Sequence, residues 1–362
     1  MDNVSSDVSG SPVAYSDDTR LAATRRSSDD PLVAIGIPIR HARHLEAALD
    51  SLLSQTYDPV RLVVLDDCSD DGAESTARRY AESGLVSYLR SDQRLGLTGA
   101  WRLAFETSVQ SCPSIRYFAW GSDHDVWHPD WIAELLGALE NDPDAVLAYP
   151  EVERLTPEGT IAPRVGHRLD TRAVPDPVAR LRATSRGVRA GDMVYGLFRV
   201  DALERAGGFP KTLLPDRLLL ARLALEGSFV QVERVLWSRR TFDDVNPSLA
   251  RQRRSLFPAA ARTRGRLPWW IQHLVWFHGS LAGRPSGDRL RLTALYLLAA
   301  TRAVNRQRWT SRRRRFRADE RVRRFRRWRK DQRGRAGRAY RRLPRVLTRP
   351  LEPIVKALRR GD

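Results

Sequence analysis

Cysteine is scarce: only Cys68 and Cys112 occur in 362 residues, and nothing about their spacing is that of a metal-ligand pair. A disulfide framework and a zinc-type site are excluded, and a reducing compartment fits. No apolar run approaches the ~20 residues that span a bilayer. The nearest candidates, LTALYLLAA (Leu292 to Ala300) and LPWWIQHLVWF (Leu267 to Phe277), are too short or too polar. The opening stretch MDNVSSDVSGSPVAYSDD is acidic and lacks the basic-then-apolar order of a secretory signal. No internal repeat is present. A cytoplasmic protein, soluble or peripheral, is the expectation.

Acidic residues run short in one region only. Between Thr301 and Asp362 stand 25 Lys and Arg against 5 Asp and Glu, whereas the first 300 residues hold 37 against 38. The formal net charge of +19 therefore belongs to the tail, and so does any argument about polyanionic partners. A hydrophobic fraction of 42% is ample for a core.

Residues 1–30 are rich in Ser, Asp and Thr and read as a flexible leader. From Pro31 onward strands and helices alternate. LVAIGIPI, RLVVLDD, VSYLR, RYFAWGSDHD (Arg116 to Asp125), AVLAYPEVE, MVYGLFRV (Met193 to Val200) and FVQVERVLWSRR read as strands. HLEAALDSLLSQ, the stretch from about Asp71, Thr98 to Thr107, PDWIAELLGAL, DALERAGGF and LLPDRLLLARLALEG read as helices. Residues 154–190 look like an extended excursion, and the Trp-bearing and Arg-rich segments beyond about Asp244 read as helical. Alternation of this kind predicts an α/β fold with a mostly parallel sheet covered on both faces. Three regions are expected: the leader 1–30, an α/β domain over 31–245, and a basic, mainly helical C-terminal extension over 246–362.

Ligands of such sheets bind beyond the carboxyl ends of the strands, and the acids fall there. Asp66 and Asp67 end one strand; Asp123 and Asp125 end another. Hard divalent cations take oxygen ligands and bridge carboxylates to substrate phosphates, which suits Asp123-His124-Asp125. An Asx-type turn before a helix would place acids there too. An acceptor-only carboxylate at Asp66-Asp67 suits the N–H of a base, and equally a turn that caps the next helix. Arg94-Leu95-Gly96-Leu97-Thr98-Gly99-Ala100 sets two glycines at a loop-to-helix junction, where a diphosphate can approach closely or a plain turn can form.

In this order and spacing, LVAIGIPI with HARHLEAALDSLLSQTY, RLVVLDDCSDDG, SDQRLGLTGAWRLAFE, YFAWGSDHDVWHPDWIAELL, GLFRVDALERAGGF and PDRLLLARLALEG resemble the family 2 glycosyltransferases over roughly Pro31 to Arg240. The resemblance implies a GT-A fold and transfer of a sugar from a nucleoside-diphosphate donor to a glycan or lipid-linked acceptor hydroxyl, in cell-surface glycan or glycolipid synthesis. It implies that Pro38, Asp67, Arg94, Gly96 and Asp123 bind the nucleotide sugar. Asp123 and Asp125, with His124 as a third candidate, would hold Mn²⁺ or Mg²⁺. Asp216 matches the general base of inverting members. This chain departs from the family pattern at Ser122 and His124, at Ile39-Arg40-His41 after the first strand, and at Pro215 beside the single acid Asp216. The Gln-x-x-Arg-Trp motif of polymerising members is absent, so transfer of one sugar is expected.

The tail segment SRRRRFRADERVRRFRRWRK (Ser311 to Lys330) carries Phe316, Phe325 and Trp328 among its arginines. An anionic membrane surface suits it best, with WWIQHLVWF as a second interfacial segment and nucleic acid as the weaker partner. The rival to an enzyme is a non-catalytic GT-A-like protein that binds nucleic acid or scaffolds partners through this tail. A sugar nucleotidyltransferase is disfavoured, because Pro38-Ile39-Arg40-His41 has no glycine.

Overall fold

A computed structural model describes residues 30–84, 86–156, 161–162, 169–187, 190–240, 249–257, 267–306 and 309. The expected leader, apart from Asp30, and the segment Ser311 to Lys330 lie outside the described residues. The chain divides into two compact units, residues 1–300 and 301–362, and the first holds the sheet and the candidate site.

In chain order the strands are β1 (Leu32–Ile39), β2 (Val60–Asp66), β3 (Ser87–Arg90), β4 (Ile115–Trp120), β5 (Val126–Trp127), β6 (Ala145–Leu155), β7 (Ile161–Ala162), β8 (Leu197–Arg199) and β9 (Ser228–Arg240). The helices are α1 (Leu45–Leu53), α2 (Ala73–Glu82), α3 (Leu97–Ser111), α4 (Trp131–Glu140), α5 (Pro177–Gly187), α6 (Ala190–Met193), α7 (Val200–Arg205), α8 (Pro215–Leu223), α9 (Leu249–Leu256) and α10 (Trp269–Ser280). A further helix begins at residue 286. The strands form one sheet in the order β3-β2-β1-β4-β8-β6-β9-β5, with β7 paired to β6.

The expected parallel arrangement holds for β3-β2-β1-β4. Beyond it the sheet is mixed, because β8 inserts antiparallel between β4 and β6 while β6 and β9 run parallel. Gly196 permits that insertion: a Cβ there would lie 2.3 Å from the Ala148 carbonyl oxygen and 2.7 Å from Leu147 Cδ1. The strand read over Met193 to Val200 shrinks to β8, since residues 190–193 are helical.

Alternation along β1 explains its uninterrupted apolar run. Val33, Ile35, Ile37 and Ile39 pack with Leu45, Leu49, Leu52, Trp131 and Leu135 of α1 and α4. Ala34 faces the opposite layer with Trp101 and Phe105 of α3. Gly36 is small for a reason: a Cβ there would sit 2.7 Å from Phe118 Cζ. The second layer is built around Trp120, which stacks on Trp101 at 5.3 Å and meets Phe198 and Phe209 edge-on. A strand buried on both faces needs no polar alternation, so the whole edge of each strand is free to end in chemistry.

Two expectations change. The segment 154–190 contains a helix, α5, started by Asp176, whose carboxylate accepts the Ala179 N–H at 2.7 Å, with Pro177 in its first turn. The strand read over Arg116 to Asp125 stops at Trp120, so the acids stand in the loop after it. Replacing Gly196 with Ala forces the Cβ into the β6 backbone. A loss of about 3 kcal/mol in urea-unfolding free energy is expected, and a loss below ~1 kcal/mol would show that β8 is free to shift.

Candidate active site

A cavity of about 650 Å³ opens at the carboxyl ends of β1, β2 and β4. Pro38, Asp67, Arg94 and Asp123 line it, with His124 beside them. Gly96 adjoins the lining residue Leu97, Asp125 is buried behind the wall, and Asp216 is not among the lining residues. Arg40, His41, Arg43 and His44 add positive charge, and Leu97, Ala100 and Trp101 bring the first turns of α3 to the wall. Sequence reading groups the acids but does not foresee how the loop after β1 supplies the cations.

Each acid is spent first on backbone. Asp66 is buried and structural: it accepts the Ser69 N–H at 2.7 Å, Tyr88 Oη at 2.9 Å and Arg90 Nη1 at 2.6 Å. Asp67 turns the other way and accepts the N–H groups of Leu95 at 2.5 Å and Gly96 at 3.0 Å, fixing the entry to α3. Gly96 makes this turn at a φ of 72°, which a side chain would strain. Asp123 Oδ2 accepts the N–H groups of Arg40 and His41, both at 2.9 Å, and so fastens the loop after β1 to the loop after β4.

Within Asp123-His124-Asp125 the imidazole stands between the two carboxylates, its Nε2 3.7 Å from Asp125 Oδ1. Ser122 Oγ accepts the Asp125 N–H at 3.2 Å and tightens the turn. His124 Nδ1 lies 2.6 Å from Asp123 Oδ1, while Asp125, only 1% exposed, accepts the Arg240 N–H at 2.8 Å and the Trp237 indole N–H at 3.2 Å. Burial pushes the Asp123 carboxyl up, but the His124 contact and the two backbone donors outweigh it and hold it below the usual range. Burial likewise disfavours charge on His124, and Asp123 and Asp125 together reverse that and raise its pKa. Among the described residues no three His, Cys, Asp or Glu side chains gather into a group that could hold a metal ion.

Asp216 sits in the first turn of α8, half-buried. Burial raises its pKa to about 6, against the pull of Arg239. Gly191 borders the pair: a Cβ there would lie 3.5 Å from Asp216 Oδ2 and 3.8 Å from Arg239 Nη1, in ordinary contact. Tyr195 links this region to the cavity: it lines the wall, and burial pushes its hydroxyl pKa up, with Asp125, Asp216 and Asp123 adding to the effect. The turn before Asp216 is held from α10. Leu214 adopts a φ of 54°, and the preceding Leu213 donates its N–H to Gln272 Oε1 at 2.9 Å and accepts from His273 Nε2 at 2.6 Å. Burial lowers the His273 pKa to about 4, so it serves as a neutral bridge between Leu213 and Tyr296. Sequence reasoning misses Tyr195, Arg239, Gln272 and His273. The paired arginines ending WSRR carry the one available signal.

Because Asp125 satisfies two buried donors, Asp125→Ala should lower stability by about 2–3 kcal/mol in denaturant unfolding. The more exposed Asp70→Ala should change it by less than ~0.5 kcal/mol, and equal losses would contradict the assignment.

A model of glycosyl transferase family 2 matches residues 35–206. An uncharacterized glycosyltransferase of Rickettsia prowazekii is 31% identical over 121 residues, covering 33% of this chain and 36% of its own length. The Escherichia coli UDP-Glc:alpha-D-GlcNAc-diphosphoundecaprenol beta-1,3-glucosyltransferase WfgD is 31% identical over 100 residues, 27% of this chain and 37% of that protein. The chain thus spans about a third of the length of these curated relatives. Among solved structures, S. aureus TarS 1–349 in complex with UDP-GlcNAc is similar in fold, with a TM-score of 0.51 at 11% identity over 75% of this chain and 72% of that one. The segment 35–206 is therefore similar to glycosyl transferase family 2, and the chain carries the GT-A fold.

Proposed function

We propose that the protein is a glycosyltransferase that moves one sugar from a nucleoside-diphosphate donor to an acceptor hydroxyl, with inversion. The observation that carries this reading is the cavity at the strand ends, where Asp67 and Asp123 share a wall with Arg40, Arg43 and Arg94. Asp67 keeps acceptor capacity beyond its two backbone donors and would take the N–H of the base. The arginines and the N-terminus of α3 would receive the diphosphate, an anion that needs donors and positive charge together.

The expected cation, Mn²⁺ or Mg²⁺, would be held at Asp123 through Oδ1, which now meets His124, while Oδ2 keeps the Arg40 and His41 N–H groups. A cation that bridges substrate phosphates needs only one or two carboxylates from the protein, and Asp123 is the member of the pair on the cavity wall. Asp125 is buried off the cavity wall and would act by holding the turn. When bound there, a divalent cation would supply charge to offset that building on the departing diphosphate. Asp216 would remove the proton of the acceptor hydroxyl as its oxygen attacks the anomeric carbon. A carboxyl pKa near 6 suits a base at neutral pH.

The acceptor is a glycan or lipid-linked sugar in cell-surface synthesis, a reading favoured by the diphosphoundecaprenol acceptor in the name of the E. coli relative. The protein would work at the inner face of the membrane, with its Arg-rich tail on anionic lipid.

Because the raised Asp216 pKa means that the folded protein keeps its proton up to about pH 6, the base form appears above that value. Turnover should therefore rise with pH through an apparent pKa near 6, and this limb should vanish in Asp216→Asn. That variant should lose roughly 10²–10⁴-fold in kcat while donor affinity stays within about threefold. Unchanged turnover would remove Asp216 from the role.

A further inference from the structure

We propose that the outer face of α10 seats the protein in the headgroup layer of an anionic lipid bilayer. The inner face of α10 is filled: Trp269, His273 and Phe277 are buried, and Phe277 and His273 stack on Tyr296. A surface helix ordinarily turns polar on its far side. This one does not, for Trp270 is 48% exposed, Leu274 39% and Val275 68%. Leu267, just ahead of the helix, is 48% exposed. Exposed apolar side chains gathered in this way mark a contact surface.

Charge selects the occupant. Arg284, Arg289 and Arg291 flank the turn between α10 and the helix that follows, with Asp288 as its only acid. A second copy of this chain would bring the same positive charge to the contact and be repelled. Nucleic acid would take the arginines but gain nothing from Leu274 or Val275. A bilayer rich in anionic lipid takes both, since tryptophan sits at headgroup level, leucines enter the acyl boundary, and each nearby arginine adds about 1 kcal/mol. No helix among the described residues is long and apolar enough to cross a membrane, which leaves α10 lying in the interface plane. The opposite side of the same 12-residue helix carries Gln272 and His273, which hold the turn before Asp216. The membrane contact and the support of the candidate base thus share one rigid element.

The inference does not depend on the transferase reading, because its test needs no turnover. Full-length protein is floated with phosphatidylcholine vesicles, with and without phosphatidylglycerol, at low and high salt. Wild type should float with the phosphatidylglycerol vesicles, and a bound fraction should survive high salt, where the basic tail is screened. Trp270→Ser/Leu274→Ser/Val275→Ser should lower partitioning at least about tenfold at high salt, with an unchanged melting temperature. The single variant Val275→Glu, at the most exposed position, should do the same and guards against loss through unfolding. Wild-type protein that ignores phosphatidylglycerol would overturn the proposal. So would variants that float as wild type does, or a wild-type dimer in sedimentation that the variants break.

Discussion

Carboxylates that accept backbone N–H groups at the carboxyl edge of the sheet hold the candidate site together. Asp67 fixes the start of α3, Asp123 fixes the loop after β1, and Asp125 fixes the end of β9. Each bond joins segments far apart in sequence, and each meets a charge that burial would otherwise make expensive. The cavity exists because these loops are fastened around it. Its positive lining arises from the same bonds, since drawing Arg40 and His41 toward Asp123 brings the neighbouring Arg43 and His44 to the wall.

Much of this is legible in the residues. A strand buried on both faces announces itself as an unbroken apolar run, and β1, β2 and β4 are recognisable on that ground. So is the placement of acids beyond their ends. What sequence cannot supply is direction. Asp66 and Asp67 are adjacent, yet one is buried among Ser69, Tyr88 and Arg90 while the other faces the cavity. Asp123 and Asp125 are two residues apart and share His124, yet Asp123 takes the N–H groups of the loop after β1 and Asp125 those of β9. Spacing alone favours a shared cation, whereas the turn decides that only one of the two reaches the wall. The helix α5 escapes a sequence reading although Asp176-Pro177 is a sound start signal, because the Arg, Pro and Thr around it weigh more than the cap.

The C-terminal segments carry a second lesson. From its residues alone, WWIQHLVWF reads as a second interfacial segment and nothing more. Its inner side grips Leu213 and sets the strained turn at Leu214 that delivers Asp216. Such a contact is invisible to motif reading, since Gln272 and His273 lie more than fifty residues from the loop they hold. A neutral, buried histidine between a carbonyl and a tyrosine is a structural pin, and its low pKa results from that burial.

The central claim is that the cavity at the strand ends receives a nucleoside diphosphate through Asp123 and its cationic neighbours. Calorimetric titration of UDP and GDP into the full chain, with and without Mn²⁺, tests it most directly when repeated on Asp123→Asn. The account predicts that at least one nucleotide binds, that Mn²⁺ strengthens binding by about tenfold or more, equal to ~1.4 kcal/mol, and that the variant loses this gain. Nucleotide binding that ignores both the metal and the variant would contradict it, and tight salt-sensitive binding of RNA in its place would favour a non-catalytic protein.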